Sequence, residues 1–293
     1  MERIKTYLIL FAGVFALSTS AIFVKIAEAP SGIIAFYRLL IAAVVLLPFL
    51  LLKRESRKEF FGLKGRQIFL MAAAGFFLAL HYVMWFESLN YTSIASSTVL
   101  VSLQPLFSLA LEWFILKKRT KPMALFGCLI ALIGSFIIGF GDFQISGISL
   151  WGDILAFLAA GVIAVYFFIG EKVRQELSAL TYSASGYFFS ALILLIYALL
   201  KKDSLFAYSE KTWLSFAGIA VIATIGGQFI FNLLLKKLPA SAVTMSILGE
   251  PIGTCILAFL LLGEGISLRQ LAGIAVIMIG MTLFFLQREK KSK

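Results

Sequence analysis

Long apolar stretches alternate with short polar segments along the whole chain. A helix that crosses a bilayer needs ~20 largely apolar residues, and ten segments meet this requirement. In chain order they are residues 6–26, 32–52, 68–89, 93–116, 122–140, 151–170, 179–200, 212–235, 240–262 and 268–287. Because backbone groups in lipid must find hydrogen bonds within their own segment, helices are the expected element at this length. The pattern predicts an all-α integral membrane protein with ten transmembrane helices.

The composition excludes a water-soluble protein. Of the 293 residues, 61% are hydrophobic and 14% are charged, whereas soluble domains contain roughly 45–50% apolar and about 25% charged residues. The net charge of +11 would suit nucleic acid, but the basic residues occur in bursts between apolar stretches, as in the loops that orient membrane proteins. We therefore expect a lipid bilayer and a small-molecule substrate as partners, and no nucleic acid.

The first apolar stretch has the basic start of a secretory signal peptide, with Arg3 and Lys5 ahead of it. Its apolar part, residues 7–24, is longer than the roughly 7–15 apolar residues of such a signal. Pro30 directly follows the small-residue motif at 27–29 and should prevent cleavage there. We expect the first helix to be retained.

Lysine and arginine are distributed unevenly between the two sides of the predicted helices. With both termini in the cytoplasm, 20 of the 26 basic residues lie inside, five lie outside and Arg38 lies within a helix. The five outer residues are Lys25, Lys201, Lys202, Lys211 and Arg269. Since cytoplasmic loops are enriched in Lys and Arg, both termini are expected to be cytoplasmic. In this orientation Ser56 and Lys121 face the cytoplasm, and Ser146 faces outward.

The two halves of the chain resemble each other at an offset of 146 residues. At this offset, residues 95–134 align with 241–280 without a gap, and eight positions are identical. The identical pairs are Thr98/Thr244, Pro105/Pro251, Leu111/Leu257, Leu116/Leu262, Leu125/Leu271, Gly127/Gly273, Ile133/Ile279 and Gly134/Gly280. Because each half holds an odd number of helices, the second copy must lie upside down in the membrane, as in many secondary transporters. We expect two inverted five-helix repeats, residues 1–145 and 146–293.

The loops of the two halves have opposite charge patterns, as inversion requires. Residues 117–121 contain four basic residues, whereas the corresponding residues 263–267 contain none. Conversely, the uncharged Asn90 corresponds to Lys236. Loops that correspond in sequence are therefore expected on opposite sides of the membrane.

Polar residues inside the predicted helices recur at helical spacing. Such groups are costly in lipid, so these helix faces are expected to meet at an interior substrate cavity. The expected lining is His81, Tyr82 and Trp85 in the third helix, Ser97, Gln104 and Ser108 in the fourth, Thr224, Gln228 and Asn232 in the eighth, and Ser246, Glu250 and Thr254 in the ninth. The alternative for a hydroxyl is a bond to its own i−4 carbonyl. For Tyr82 and Trp85 the alternative is packing or an interfacial position.

Two of these polar residues directly precede proline near the middle of a helix. Gln104 precedes Pro105, and Glu250 precedes Pro251. Proline removes a backbone hydrogen bond and breaks or kinks a helix. A helix broken near the membrane midplane beside a polar side chain is a common form of transporter binding site. We expect both helices to break there and both side chains to line the cavity.

Four residues are candidates for coupling transport to protons. They are His81, Glu87, Glu112 and Glu250. An imidazole titrates near neutral pH, and loss of solvation disfavours the charged form of a carboxyl group. For His81 the alternative is a core histidine with satisfied hydrogen bonds.

Arg38 and Lys25 are candidates for attracting an anionic group of the substrate or for a structural role. Arg38 lies about two turns into the second helix, and Lys25 lies at the end of the first. The structural alternative for Arg38 is to extend toward the interface or to pair with Glu28.

Several catalytic motifs are missing from the sequence. It contains no Gly-x-x-x-x-Gly-Lys-[Ser/Thr] nucleotide loop and no His-Glu-x-x-His metal motif, and its single histidine cannot supply several catalytic sites. Cys128 and Cys255 lie within apolar stretches and are read as unpaired small hydrophobic residues. We expect no enzyme activity, no cofactor and no bound metal.

These motifs together resemble the drug/metabolite transporter superfamily, specifically its EamA type. The resemblance covers both halves, through Ala35-Phe36-Tyr37-Arg38, Leu103-Gln104-Pro105-Leu106, Gly249-Glu250-Pro251, Leu262-Gly263-Glu264 and Gln270-Leu271-Ala272-Gly273. The first half departs from the pattern, because Lys117-Lys118 replaces the Gly-Glu pair. The resemblance implies ten helices, alternating access and a bacterial inner-membrane location.

The expected function is that of a secondary transporter, an exporter of an amino-acid-like or amphiphilic, drug-like metabolite. The alternative is a facilitative channel or lipid scramblase of the same architecture. In space, we expect His81, Trp85, Gln104, Gln228, Asn232 and Glu250 to border one shared cavity. The fifth and tenth helices, which contain the paired glycines, are expected at the periphery in helix packing or a homodimer contact.

Overall fold

A computed structural model of the chain describes residues 2–92, 94–118, 120–139, 147–263 and 265–289. In this part of the chain the regular structure is helical. The first seven helices are α1 (Glu2–Ile26), α2 (Ser31–Leu52), α3 (Arg54–Phe61), α4 (Gly65–Ser88), α5 (Ile94–Val101), α6 (Gln104–Phe114) and α7 (Pro122–Gly139). The others are α8 (Ser149–Val173), α9 (Ala179–Lys201), α10 (Glu210–Gly218), α11 (Ile230–Leu234), α12 (Ala240–Ile247), α13 (Glu250–Leu262) and α14 (Leu268–Glu289). A π-helical segment, Ile219–Phe229, joins α10 to α11.

Within the described ranges, nine helical stretches are long and apolar enough to cross a membrane. They are α1, α2, α4, α5–α6, α8, α9, α10–α11, α12–α13 and α14. A tenth apolar helix, Pro122–Ile138, is shorter. Large apolar side chains such as Phe126, Leu200 and Met278 are exposed on the outside of the bundle, as lipid-facing residues should be. The expected all-α membrane protein is confirmed, and the tenth crossing stays a prediction.

Two helices are interrupted in front of a proline. A turn at Ser102 and Leu103 separates α5 from α6, which begins at Gln104. A turn before Glu250 likewise separates α12 from α13. Pro105 lies in the first turn of α6, where its missing N–H has no helical partner to lose. Each interruption therefore presents a polar side chain at the start of a new half-helix.

A third helix is irregular, and the sequence did not predict this irregularity. Eleven residues between α10 and α11 form a π-helix, and the Thr224 hydroxyl donates to the Ile219 carbonyl, five residues earlier, at 3.0 Å. Segments of π-helix are rare and occur frequently at functional sites. The widened turn contains Thr224 and Gln228, two of the residues expected to line the cavity.

Glycines allow α7 and α14 to pack with their backbones in contact. A Cβ atom at Gly127 would lie 2.7 Å from the Gly280 carbonyl oxygen, and one at Gly134 would lie 2.7 Å from the Gly273 carbonyl oxygen. Only glycine fits such an approach, which is a common form of contact between membrane helices. The paired glycines of the two helices thus pack against one another within this chain.

Among the remaining contacts, several between two elements have a second one between the corresponding elements of the two halves. Helix α4 packs on α8, and the π-helical segment packs on α1. The aromatic ring of Phe107 in α6 lies against Gly161 of α8, and that of Phe15 in α1 lies against Gly253 of α13. Positions 15 and 161, and positions 107 and 253, are each 146 residues apart. Helices α2 and α9 pack against each other between these groups.

Candidate functional site

Arg38 is the charged residue at the centre of the polar interior. Helix α2 buries its side chain to 2% exposure. Its Nε donates to Thr224 Oγ1 at 2.9 Å, and its Nη1 donates to Ser20 Oγ at 3.1 Å. The Tyr82 ring lies over the guanidinium, with 4.9 Å between Cζ and the ring centroid. The second terminal nitrogen, Nη2, is buried without a hydrogen-bond partner in the described part of the chain.

The structural alternatives expected for Arg38 are not what the structure contains. The side chain does not extend to the interface, because it bonds to hydroxyls on α1 and on the π-helical segment. Its partners are therefore Ser20 and Thr224, and not Glu28. Lys25, the other cationic candidate, is exposed in the last turn of α1. Of the two cations, only Arg38 belongs to the buried polar group.

His81 and Trp85 lie side by side on α4. The His81 ring stacks on Trp85 with 5.7 Å between the ring centroids. Its Nδ1 lies 3.0 Å from the Ala159 carbonyl oxygen of α8. Since a carbonyl oxygen only accepts, Nδ1 donates in this contact. The Trp85 Nε1 donor is buried and has no partner among the described residues.

Asn232 has a complete set of hydrogen bonds to tyrosine and serine hydroxyls. Its Oδ1 accepts from Tyr166 at 2.9 Å. Its Nδ2, which has two hydrogens to donate, lies 2.7 Å from the Tyr166 hydroxyl, 3.0 Å from that of Ser183 and 3.3 Å from that of Tyr187. The side chain is fully buried. These bonds link α11 to α8 and α9, so the geometry assigns Asn232 to packing.

The sequence reading missed the tyrosines of this cluster. Tyr166, Tyr182 and Tyr187 are among the largest fully buried side chains, and Tyr166 and Tyr182 stack with their centroids 6.0 Å apart. The available signal was the position of three tyrosines inside apolar helices.

Gln104 and Glu250 begin the two half-helices α6 and α13. Gln104 is 7% exposed, and its Oε1 is buried without a partner in the described ranges. Glu250 is partly exposed, and its backbone carbonyl accepts from Ser18 Oγ at 3.1 Å. The Arg38 charge is close enough to act electrostatically on Glu250. In the described structure no ion pair joins the two.

Three of the predicted hydroxyls bond to other protein groups, one within its own helix and two on neighbouring helices. Ser246 Oγ donates to the Val243 carbonyl at 2.6 Å. Ser97 Oγ shares a 2.6 Å hydrogen bond with Ser88, and Thr254 Oγ1 donates to the Ser18 carbonyl at 3.4 Å. The geometry favours packing for Ser97, Ser246 and Thr254.

Two of the proton-coupling candidates lie at helix ends, apart from the buried polar group. Glu112 accepts from the backbone N–H of Ser241 at 3.0 Å, in the first turn of α12. Glu87, near the end of α4, accepts from Tyr197 and forms a 3.0 Å ion pair with Lys201. Both carboxylates therefore have structural partners.

Buried polar atoms without a partner are concentrated in the predicted site. Within the described residues there are six: Arg38 Nη2, Trp85 Nε1, Gln104 Oε1, Ser108 Oγ, Ser185 Oγ and Gln228 Nε2. Five of them belong to residues that the sequence reading selected. A buried donor or acceptor without a partner costs about 1–3 kcal/mol, and most are satisfied in native proteins. These atoms are the ones most suited to bind polar groups of a substrate.

Two cavities flank this polar interior. One, of about 280 Å³, lies between α2, α4 and α9 and is lined by Tyr82 together with charged residues such as Glu87 and Lys201. The other, of about 460 Å³, is an apolar groove between α1, α13 and α14 that includes Gly249 and Gly253. Tyr82 is the one predicted cavity residue that lines either of them. The shared cavity bordered by His81, Trp85, Gln104, Gln228, Asn232 and Glu250 stays a prediction.

Comparison with known proteins identifies the type of molecule. A family model described as "EamA-like transporter family" matches the chain twice, at residues 4–140 and 150–286. The "Uncharacterized transporter YwfM" of Bacillus subtilis is 29% identical over 70% of this chain and 69% of its own length. The "Uncharacterized inner membrane transporter YicL" of Salmonella typhimurium is 28% identical over 90% of this chain and 88% of its own.

One solved structure shares the whole fold. It is described only as "Crystal structure of protein", covers 99% of both chains and has a TM-score of 0.81 at 16% sequence identity. At this identity the likeness establishes the fold and nothing about the substrate.

Proposed function

Because this chain belongs to the EamA-like transporter family, we propose that it is a secondary transporter that exports a small zwitterionic, amino-acid-like metabolite. The chain is a multi-pass membrane transporter, and what we propose is the direction of transport and the class of substrate. The observation that carries the proposal is the buried Arg38, whose Nη2 has no partner in the described residues. Alternating access across a bacterial cytoplasmic membrane is the proposed mode of transport.

Arg38 supports recognition of a carboxylate. A guanidinium binds a carboxylate through charge-assisted and often bidentate hydrogen bonds. Two neutral donors of the same polar interior, Trp85 Nε1 and Gln228 Nε2, have no hydrogen-bond partner among the residues that the structure describes. Gln228 lies one helical turn after Thr224, which bonds to Arg38. An acceptor group with negative charge is the ligand that this set of donors favours.

Glu250 supports recognition of an ammonium group. Glu250 is partly exposed as a residue and begins a half-helix. It lies within electrostatic range of Arg38 but forms no ion pair with it in the described structure. Two opposite charges that do not neutralise each other suit a ligand with both charges, such as an amino acid. The faces of His81 and Trp85 offer an aromatic surface for its side chain.

The proposed architecture is two inverted repeats of five helices each, residues 1–145 and 146–293, with both termini in the cytoplasm. The double match of the family model supports it. So do the glycine contacts, because Gly127 meets Gly280 while its repeat partner Gly273 meets Gly134. Such an exchange of partners is what a two-fold axis between the halves produces. The bias of 20 basic residues inside against five outside supports the orientation.

A ligand screen by thermal unfolding tests the substrate class. Purified protein is heated with amino acids, with their amides, which lack the carboxylate, and with the corresponding amines. Binding at 100 times the dissociation constant stabilises by about 2.7 kcal/mol, so a zwitterionic ligand should raise the melting temperature with concentration. The amide and the amine should not, and Arg38→Gln should abolish the effect. Equal shifts with the amine, unchanged in Arg38→Gln, would contradict the proposal.

A flux measurement separates a transporter from the channel or scramblase alternative. In proteoliposomes loaded with the labelled ligand found in the screen, unlabelled ligand outside should accelerate efflux by countertransport, and the rate should saturate. A channel or a scramblase gives neither result. Linear flux without acceleration would assign the protein to the alternative class.

A further inference from the structure

The polar cavity lies at the outer ends of three helices. It is bordered by the start of α2 at Gly32, the end of α4 at Glu87 and Asn90, and the end of α9 at Tyr197 and Lys201. Its volume is about 280 Å³. In the proposed orientation all three helix ends face outward. We call this cavity the outer vestibule.

The rim of the outer vestibule is held by an ion pair across two helices. Glu87 of α4 contacts Lys201 Nζ of α9 at 3.0 Å, accepts from Tyr197 and is 3.3 Å from Asn90 Nδ2. Its carboxylate is therefore already satisfied by protein partners. We assign this group to shaping the rim and not to holding a ligand.

The inner end of the vestibule meets the Arg38 site at Tyr82. Ala35, one helical turn before Arg38, and Tyr82 both line the vestibule. The Tyr82 ring also lies over the Arg38 guanidinium, at 4.9 Å. Its side chain is 3% exposed. The ring thus touches the vestibule on one side and the buried guanidinium on the other.

On the other side of the membrane in the proposed orientation, hydrogen bonds join the ends of four further helices, α6, α8, α11 and α12. Glu112 and Glu171 accept from the first backbone N–H groups of α12, at Ser241 and Ala240, at 3.0 and 2.8 Å. Carboxylates at a helix N-terminus are stabilised by its unpaired N–H groups and its dipole. Arg174 also donates to the Asn232 carbonyl at 2.9 Å. In this conformation the helices are held together on the inner side, and the vestibule opens on the other.

We propose that the outer vestibule is the route between the Arg38 site and the outside, and that the Tyr82 ring is the gate that closes it. The inference rests on the proposed function. The larger groove is an unsuitable route for a zwitterion, because its lining contains no charged side chain and only two hydroxyls, those of Tyr7 and Thr282, among the described residues. The Thr282 hydroxyl bonds to its own helix at Met278. Burying charged groups there without partners would be costly.

Cysteine labelling tests the gate without a substrate. In a Cys128→Ala/Cys255→Ser background, Ser20→Cys places a thiol beside Arg38, and Ser31→Cys places one at the vestibule rim. Intact cells are treated with a membrane-impermeant, positively charged thiosulfonate, and the labelling rate of each thiol is measured. Each reporter is combined with Tyr82→Ala, with Tyr82→Phe, which keeps the ring, and with Phe86→Ala. Phe86 lines the same vestibule one turn further out, so it is the matched control.

The rim thiol should react in every variant. The thiol at position 20 should react slowly in the parent, in Tyr82→Phe and in Phe86→Ala. In Tyr82→Ala its rate should rise about tenfold or more, because an open state that is a minor population becomes the major one. Tyr82→Leu, which keeps more packing, should label at an intermediate rate and replaces Tyr82→Ala if that variant does not fold. A rate equal to that of Tyr82→Phe, or an equal rise in Phe86→Ala, would overturn the gate. An unreactive rim thiol would overturn the route.

The result of the labelling experiment and the result of the ligand screen are independent of each other. If the labelling follows Tyr82 but no zwitterion raises the melting temperature, the gate stands and the proposed substrate is wrong. If a zwitterion binds through Arg38 but labelling at position 20 does not depend on Tyr82, the substrate stands and the gate is wrong. Protection of the thiol at position 20 by that zwitterion in Tyr82→Ala would support both.

Discussion

At the scale of single residues, the burial of Arg38 is offset by hydrogen bonds and a ring contact in place of an ion pair. Two of its nitrogens donate to the hydroxyls of Ser20 and Thr224, and Tyr82 covers its face. A charge buried in the membrane is costly, and residues of this kind commonly mark substrate or ion paths. The proposed binding role would account for the nitrogen, Nη2, that has no hydrogen-bond partner in the described structure.

Glu250 is the residue whose protonation we expect to couple to transport. Glutamine has nearly the same size but does not titrate and carries no charge to pair with an ammonium group, so Glu250→Gln should weaken transport and remove its dependence on pH. The charged and titratable groups that act on it include Arg38, and His81 lies in the same interior. Flux at several pH values in proteoliposomes checks this. Full activity with unchanged pH dependence would assign Glu250 to packing.

The same flux assay tests Gln104, which begins the half-helix α6, together with Glu250. Gln104→Leu should abolish transport while folded protein remains in the membrane, because it removes the buried amide at the start of α6. Glu250→Leu should do the same at α13. Normal flux in both leucine variants would remove these two positions from the proposed site.

Asn232 should matter for stability more than for binding. Asn232→Leu leaves the hydroxyls of Tyr166, Ser183 and Tyr187 without their shared partner, and each lost buried bond costs about 1–3 kcal/mol. We expect a lower melting temperature with the ligand-induced increase preserved. Gln228→Leu is the matched control one turn earlier, because its Nε2 has no protein partner in the described ranges; it should weaken the ligand response and change stability less. The reverse pattern would return Asn232 to the substrate site.

At the scale of helices, interruptions and close contacts have different causes. The starts of α6 and α13 follow from proline, which fits the first turn of a helix and not its interior. The π-helical segment has no such local cause and contains Thr224, which bonds to Arg38. The contact of α7 with α14 depends on glycine, since added carbon atoms would meet backbone.

Gly134 should therefore tolerate no side chain. A Cβ there would lie 2.6 Å from the Ile277 nitrogen and 2.7 Å from the Gly273 carbonyl oxygen. Gly134→Val should destabilise the protein by about 1–3 kcal/mol through overpacking, seen as a lower melting temperature. Gly186→Ala is the control, because a Cβ at that helical glycine meets nothing within 4 Å and alanine is the better helix former. Equal melting temperatures for both variants would show that α7 and α14 can separate without cost.

At the scale of the whole molecule, the two faces differ. One end of the bundle is closed by side chains that bond to helix ends, as Glu171 does to the N–H of Ala240. The other end contains the outer vestibule. Lys201, a basic residue on the outer side that is unusual for the orientation rule, pairs with Glu87 there. Its charge therefore has a partner at the rim of the outer vestibule.

The orientation is checked by labelling at both faces. In a cysteine-free background, thiols placed at Lys121 and at Glu55 should react only with permeant reagents in intact cells. Glu55 is exposed and replaces its neighbour Ser56, which is 3% exposed and a poor reporter. Ser204→Cys, exposed beyond α9, should react with impermeant reagents; it replaces Ser146, which lies outside the described residues. Reaction of the Glu55→Cys thiol from outside would reverse the orientation.

The sequence by itself determined the helical membrane class, the family and the positions where two helices break. Each depends on residues close together in the chain: an apolar stretch long enough to span lipid must be a helix, and Pro105 and Pro251 cannot continue one. It also selected five of the six residues with buried unpaired polar atoms in the described structure, because polar groups inside apolar stretches are visible without coordinates.

Only the tertiary structure decided which polar groups have protein partners. Ser241 lies 129 residues from Glu112, and Thr224 lies 186 residues from Arg38; no pattern in one dimension pairs them. In the described part of the chain, the tertiary contacts left Arg38 Nη2 without a partner and placed Asn232 in a tyrosine cluster. They also placed Tyr82 between the guanidinium and the outer vestibule. The physical reason is that membrane helices make all their backbone bonds internally. Long-range side-chain contacts therefore determine how the helices are arranged and which polar groups remain available to a substrate.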